Sequence, residues 1–413
     1  MQRKSICILT GSHLCHNPRV IKEATTLAAA GYEVEVLGAW LDPELKRKDE
    51  MLAKSACFSF RPVIDLAEKG FKRQQSRAKS KAGRLAHRLL GFENRWQLGL
   101  AVSALTKAAR QSKADFFIAH SEPALWATSQ FSTLNSQLGI DMEDWFSEDL
   151  LPEARKHRPL GLLKRLEHEV LSRAVYATCT SHAMADALAR EYDCQPPLAI
   201  YNAFRWSDRA NLDGKIKDRH DGQLPSIHWY SQALGLGRGL EDLIAALPLV
   251  EHEAEIHLRG KPAPQFLDWL RSQLTSNWRN RVFIHDLVSN EELLSRITEH
   301  DIGFAGEQKY CKSRDLTVTN KILHYLLAGL AVVASDTSGQ REVAEQAPGA
   351  VYLYRAGDAQ DLAGQLNQLL SSKADLAEAK EAALAAARGT FCWERQAPKL
   401  LDAVESALTL AQF

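Results

Sequence analysis

Short apolar runs alternate with amphipathic stretches along most of this chain, and the alternation runs its course twice. Ser5–Thr10 reads as a strand, Pro18–Ala30 as an amphipathic helix closed by Gly31, and Tyr32–Leu37 as a second strand. Asp115–Ala119 is a further strand before a helix from about Pro123, and Ala177–Thr180 precedes a helix over Ala183–Glu191. This rhythm predicts parallel sheets covered on both faces, because parallel strands need crossovers and the crossovers bury both sides. It pauses over 207–225, where Asp208, Asn211, Asp213, Gly214, Asp218, Asp221, Gly222 and Pro225 leave little apolar content, and that stretch reads as a linker. Strands then resume at Ile227–Tyr230, Ala254–Leu258, Val282–His285, Asp301–Ala305 and Ala331–Ala334, with helices at Leu240–Leu247, Glu291–Glu299 and Asn320–Ala328. The expectation is an α/β protein of two Rossmann-like parallel-sheet domains, 1–206 and 226–390, facing each other across a cleft. With 413 residues the chain exceeds the size of about 250–300 at which one core stops growing. Ligands of open α/β sheets bind at the carboxyl ends of the strands, so the cleft is the expected site.

The charge is balanced, with 51 Lys/Arg and 51 Asp/Glu, which argues against a dedicated nucleic-acid binder. The balance hides a split. Residues 1–110 carry 20 Lys/Arg and 10 Asp/Glu, while the remainder carries 31 and 41. Part of the excess lies in 69–88, where Lys69, Lys72, Arg73, Arg77, Lys79, Lys81, Arg84 and Arg88 occur with no acidic residue and Leu85, Leu89, Leu90 and Phe92 follow or interleave. The bland reading is a solvated surface helix. The functional one is a basic amphipathic segment on anionic lipid, at about 1 kcal/mol per basic residue. The apolar run after Arg3 and Lys4 is too short for a signal-peptide core, and no window approaches the ~20 apolar residues of a membrane span. Seven scattered cysteines without CxxC spacing fit reduced thiols. The expected location is the cytoplasm, peripheral to the inner face of the membrane on the functional reading.

Missing patterns exclude other chemistry. His252-Glu253 with His257 is not HExxH, and His13 with His16 lacks a nearby third ligand, so no metal site is expected. There is no Walker loop, no GxSxG and no Asp-x-Asp, and Gly235-Leu236-Gly237-Arg238-Gly239 lacks GxGxxG spacing.

Three clusters remain. Thr10-Gly11-Ser12-His13 through Asn17-Pro18-Arg19-Val20 and Lys22-Glu23-Ala24 sits where the first strand gives way to the first helix, and Gly11 would let a ligand approach the backbone. Ser231 through Leu240 is a glycine-rich loop opening a helix, with Arg238 as a fixed charge beside free N–H groups. Thr317-Val318-Thr319-Asn320-Lys321-Ile322-Leu323-His324-Tyr325 starts a helix that Gly329 stops, before the strand Ala331–Ala334.

Together these clusters resemble the family 4 retaining glycosyltransferases of the GT-B fold. The third is similar to that family's donor segment, the second to its glycine loop before a helix, and Asn17-Pro18-Arg19-Val20 to the start of its first helix. Ile118-Ala119-His120-Ser121-Glu122-Pro123, Asp141-Met142-Glu143-Asp144, Tyr201-Asn202-Ala203 as the end of the first domain, and Phe391-Cys392-Trp393-Glu394 extend the resemblance over almost the whole chain. The last of these implies that 391–413 form a C-terminal helix crossing back to the first domain. It implies transfer of a sugar from a nucleotide-diphosphate sugar to a glycan or lipid-linked acceptor, in cell-surface polysaccharide biosynthesis, with no cofactor and no metal. A leaving diphosphate gathers charge, so cations and backbone donors suit it. The resemblance assigns donor binding to Gly11, Gly237, Arg238, Gly239, Gly260, Lys261, Thr319, Asn320, Lys321 and His324. It assigns the transfer step to Glu143, Asp144 and His120, and the acceptor side to His13, Arg19 and Glu122. The family's paired glutamates fall on Leu316 and His324, and its catalytic histidine near Glu143 or Asp144. Two alternatives stand beside this reading: a nucleotide-sugar epimerase of the same fold, and a non-catalytic nucleotide-sugar-binding scaffold subunit, which the missing glutamates favour.

Overall fold

The computed structural model describes residues 3–131, 137–219 and 224–410. The chain divides into two compact units, one formed by residues up to Ile200 together with those from Ala397 onward, the other by Tyr201–Gln396.

The first unit is built on a parallel sheet of seven strands: β1 (Ser5–Thr10), β2 (Glu33–Trp40), β3 (Ser59–Asp65), β4 (Phe116–His120), β5 (Gln137–Met142), β6 (Tyr176–Cys179) and β7 (Leu198–Ala199), in the order β3-β2-β1-β4-β5-β6-β7. β1 and β4 are buried nearly throughout because helices cover both faces, which is why their sequences are continuous apolar runs rather than alternations. The helix Pro18–Ala29 follows β1 and sets Val20, Glu23, Ala24 and Leu27 on one buried face, at helical spacing. Pro18 opens it where an N–H has no intrahelical partner to lose. β3 carries Pro62 and closes one edge of the sheet, the position where a strand proline costs no ladder bond.

The second unit has six parallel strands: β8 (Ser226–Leu234), β9 (Glu255–Pro262), β10 (Val282–His285), β11 (Ile302–Ala305), β12 (Ala331–Ser335) and β13 (Val351–Tyr354), in the order β10-β9-β8-β11-β12-β13. Its core packs Ile227, Trp229, Ile256, Leu258, Phe304 and Val333 against Leu240, Leu243, Leu362 and Leu366 of the covering helices.

Three expectations are corrected. Tyr201 and Ala203 belong to the core of the second unit rather than closing the first, and the Tyr201 hydroxyl donates to Glu342 at 2.6 Å. The stretch read as a linker is fastened to the second unit over 207–219. Arg296 holds both Asp213 carboxylate oxygens at 2.7 Å, Arg209 donates to the Leu327 carbonyl, and the backbone N–H groups of Lys217 and Asp218 donate to Glu299. Asp221 and Gly222 lie outside the described residues. Gly260 and Lys261 do not follow the strand but lie inside β9, which pairs on as far as Leu234 with Pro262.

Candidate functional site

In each sheet the strand order reverses direction once, between β1 and β4 in the first unit and between β8 and β11 in the second. The crevice beyond the carboxyl ends at such a reversal is where open α/β sheets hold ligands. In the second unit β8 runs to Leu234 and turns through Gly235–Gly239 into the helix Leu240–Ala246. Gly239 has φ +82°, and a Cβ there would lie 1.8 Å from the Gly306 carbonyl oxygen, so the loop after β8 rests directly on the loop after β11. No other residue type fits that contact. Gly237 donates its N–H to the Glu241 carboxylate. Asp242 anchors the turn by accepting from Gln308, the Tyr354 hydroxyl and the Gly357 N–H. Arg238 is exposed, and one guanidinium N–H donates to Ser231 Oγ at 3.0 Å. Gly260 sits against the Ser231 carbonyl and Lys261 is exposed in register with Ala233, so both flank the same loop.

Across the crevice, Thr319 stands at the N-cap position of the helix Asn320–Ala328 without a side-chain capping bond, and Lys321 lies in the first turn. Lys321 Nζ is 2.6 Å from Glu307 Oε1 and 5.6 Å from the centre of the Trp229 ring in β8. Burial opposes the charge on Glu307, but Lys321 outweighs it and holds the carboxyl below the usual range, with Arg314 adding to the effect. Asn320 is exposed and accepts from Asn202 at 2.9 Å. His324 is buried, 3.0 Å through Nδ1 from the Tyr230 hydroxyl and stacked on Phe204 at 4.1 Å. Burial pushes its pKa down to about 3, so it stands neutral where the resemblance leads one to expect a carboxylate.

The first unit fills its reversal differently. Gly11 donates its N–H to Ser121 Oγ at 3.0 Å, and a Cβ on it would lie 2.4 Å from Pro123, so Gly11 closes β1 against the helix Glu122–Ser129. It belongs to the first unit, apart from the other residues assigned to the donor. His13 is buried. Its Nε2 accepts from the N–H groups of Leu41 and Asp42 at 2.8 and 3.0 Å, and its Nδ1 donates to Asp49 at 2.7 Å. Both ring nitrogens are therefore bonded within the fold. Arg19 is likewise buried: it pairs with Asp141 and donates to the Ile200 and Cys179 carbonyls.

His120 ends β4 with no exposed surface, bonded through Nε2 to Glu23, whose other oxygen accepts the Tyr176 hydroxyl at 2.7 Å. Burial opposes its charge, yet Glu23 and Asp141 outweigh burial and raise its pKa to about 9. It lies buried in a network with Glu23, Asp141 and Tyr176. Glu143 and Asp144 follow β5 directly and are half-buried, and burial raises the Glu143 pKa. Glu122 pairs with Arg158, and burial raises its pKa as well.

Two groups of three among the described residues have metal-ligand composition, His13-Cys15-Asp49 and Glu23-His120-Asp141. Both are engaged in contacts of the fold. In the first, the His13 nitrogens are both taken and Asp49 Oδ1 accepts the Cys15 N–H at 2.8 Å. In the second, His120 Nε2 bonds to Glu23 and Arg19 pairs with Asp141, while His120 Nδ1 and Asp141 Oδ1 have no hydrogen-bond partner among the described residues.

Sequence reasoning did not single out Glu307, Asp242 or Trp229. Glu307 carried a usable signal, since it stands two residues past the buried strand Ile302–Ala305, at a strand's carboxyl end.

Residues 233–372 match the family model described as glycosyl transferases group 1. Comparison with curated proteins returned no match. Among solved structures the chain is similar to sucrose-phosphate synthase from Thermosynechococcus elongatus, at 14% identity and TM-score 0.72, covering 99% of this chain and 100% of that one. It is similar to HepE of Anabaena in complex with UDP and glucose, at 17% identity and TM-score 0.70, covering 98% and 100%. It is also similar to a TarM mutant of S. aureus in complex with fondaparinux, α-GlcNAc-glycerol and UDP, at 10% identity and TM-score 0.68, covering 98% and 99%. These likenesses show that the chain has the GT-B fold.

Proposed function

We propose that this protein is a retaining, metal-independent glycosyltransferase that moves a sugar from a nucleotide-diphosphate sugar to an acceptor hydroxyl. The observation that carries this reading is the pair of cations at the β8–β11 reversal, Arg238 and Lys321, inside the span that matches the group 1 glycosyl transferases. A diphosphate that departs with growing negative charge needs fixed cations in place before the reaction, and this crevice supplies two. HepE in complex with UDP and glucose makes UDP-glucose the first donor to try. Thermal-shift titration with nucleoside diphosphates and their sugars tests the reading. A ligand at 100 times its Kd adds about 2.7 kcal/mol of stability, and no shift with any of them refutes it.

For the acceptor we propose a glycan or lipid-linked chain in cell-surface polysaccharide synthesis, met at an anionic membrane surface. The support is the helix Phe71–Leu90, which holds seven of the eight basic residues of 69–88 and leaves Phe71, Leu85, Leu89 and Leu90 exposed, with Phe92 exposed just beyond it. Arg95, Lys107 and Arg110 line a groove of the same unit with Ser103 and Thr106. No helix of the described residues is long and apolar enough to cross a membrane. Co-sedimentation with vesicles containing anionic lipid, weakening as salt shortens screening to about 8 Å, is expected. Equal binding after the eight basic residues are changed to Gln refutes it.

The neutral, buried His324 favours a second reading, a nucleotide-sugar-binding subunit without turnover. Glu143→Gln separates the two. In a transferase it cuts turnover by about 100-fold or more with donor affinity kept. In a binding subunit there is no turnover to lose.

A further inference from the structure

Glu307 is the only described carboxylate seated on a cation assigned to the donor. Its backbone is pinned: the N–H donates to the Ala305 carbonyl at 3.0 Å, and the carbonyl accepts Ser335 Oγ at 2.6 Å. Its side chain is 13% exposed and that of Lys321 20%, so the pair is held at the crevice wall with a small face left open. Gly306, the residue before it, carries the contact with Gly239, which places the carboxylate beside the junction of the loops after β8 and β11.

We propose that Glu307 is the residue by which this protein tells a nucleotide sugar from a bare nucleoside diphosphate. The inference rests on the glycosyl-transfer reading. An ionised carboxylate accepts hydrogen bonds and cannot donate them. A bare diphosphate arriving at Lys321 brings a terminal phosphate with extra negative charge and only acceptor oxygens, so Glu307 repels it and competes with it for Nζ. In a nucleotide sugar that phosphate is esterified and carries less charge, and the sugar beyond it presents hydroxyl donors that a carboxylate accepts. One side chain therefore penalises the product and rewards the donor. After transfer, the loss of the sugar turns attraction into repulsion and hastens release of the nucleoside diphosphate.

The test measures Kd by calorimetry for UDP with UDP-glucose, UDP with UDP-N-acetylglucosamine, and GDP with GDP-mannose, on the full chain. In Glu307→Gln the bare diphosphate is expected to bind more tightly and the nucleotide sugar more weakly. The ratio of the two constants then falls by about 10- to 100-fold, the size of one charge-assisted hydrogen bond. Glu307→Asp keeps the charge and shortens the reach, so it is expected to leave the bare diphosphate unchanged and weaken the sugar. Lys321→Met is expected to weaken both members of a pair alike. A ratio within about twofold of the starting protein in Glu307→Gln overturns the proposal, and if that variant does not fold, an unchanged nucleotide-sugar affinity in Glu307→Asp does so. If the starting protein binds no member of any pair, the glycosyl-transfer reading itself falls and this inference falls with it.

Discussion

At the β1–β4 reversal the first unit buries Arg19, Glu23, His120, Asp141 and Tyr176 against one another, while at the β8–β11 reversal the second unit leaves Arg238 exposed and Lys321 partly so. Both sheets twist open at the same kind of place. The first closes the opening with its own charges and the second keeps cations at the surface of the crevice. A buried cluster whose opposite charges pair with one another offers a ligand little net field, whereas a cation beside solvent keeps most of its electrostatic capacity. Ionisable residues at a strand's carboxyl end are thus not by themselves a site. What separates the two cases is whether the partners of each group come from the fold.

The sharpest way to break this comparison is to remove one buried partner. Arg19→Met leaves Asp141 as an uncompensated buried anion, and such a loss costs about 3–5 kcal/mol. The expected outcome is a large drop in the urea midpoint with nucleotide affinity unchanged in the folded protein. A stable variant, or one that folds but loses nucleotide, would show that the network is not structural.

The histidines sharpen it further, because the two units bury them in opposite states. His120 has its pKa raised to about 9 by Glu23 and Asp141 against the pull of burial. Its contribution is full below the unfolded value of about 6.5 and is lost as pH rises through about 9, a change of about 3 kcal/mol at roughly 1.4 kcal/mol per unit. His228 and His300 in the second unit are stacked at 4.5 Å, and burial, reinforced by His257 and other neighbouring histidines, drives both well below the ordinary value. Their contribution is full above about 6.5 and is lost as pH falls below it, because the unfolded chain then binds protons that the folded one refuses. Urea midpoints across pH should fall on both sides. His120→Gln should flatten the alkaline limb and His228→Phe the acid limb, and a limb that survives its substitution contradicts the assignment.

How much of this was legible beforehand follows the same division. The strand–helix rhythm is a statement about apolar periodicity, and it located β1, β4, β8, β11 and β12 to within a few residues because both faces of each are buried. β3, β5, β7 and β13 escaped it. β3 and β13 are only partly buried, and β3 carries Pro62, which suits an edge strand. β7 has two residues, and β5, though buried, breaks its apolar run with Gln137, Gly139 and Asp141. Lys321, Arg238 and His324 could be gathered from sequence because glycine turns and helix starts mark them. The assignment of Arg19, His13 and His120 to substrate could not be checked there, since their partners Asp141, Asp49 and Glu23 lie 122, 36 and 97 residues away along the chain. Sequence shows which groups are ionisable, and only the fold shows which are already spent.

The smallest expected effect separates the two crevice cations from each other. Arg238 shares only a hydroxyl contact with Ser231, so Arg238→Ala should leave the urea midpoint within about 0.5 kcal/mol of the starting protein, as exposed substitutions do. It should still weaken binding of a nucleoside diphosphate by about 10-fold, since one charge-assisted contact to phosphate is lost. Lys321→Ala should weaken binding at least as much, but it also strands the Glu307 carboxylate, so its midpoint falls as well. Calorimetric affinity and urea midpoint, measured together on both variants, resolve the difference. Loss of stability in Arg238→Ala would mean that its guanidinium is part of the fold, and the second crevice would then resemble the first. Stability with unchanged affinity in that variant would place the diphosphate on the Lys321 side of the crevice alone.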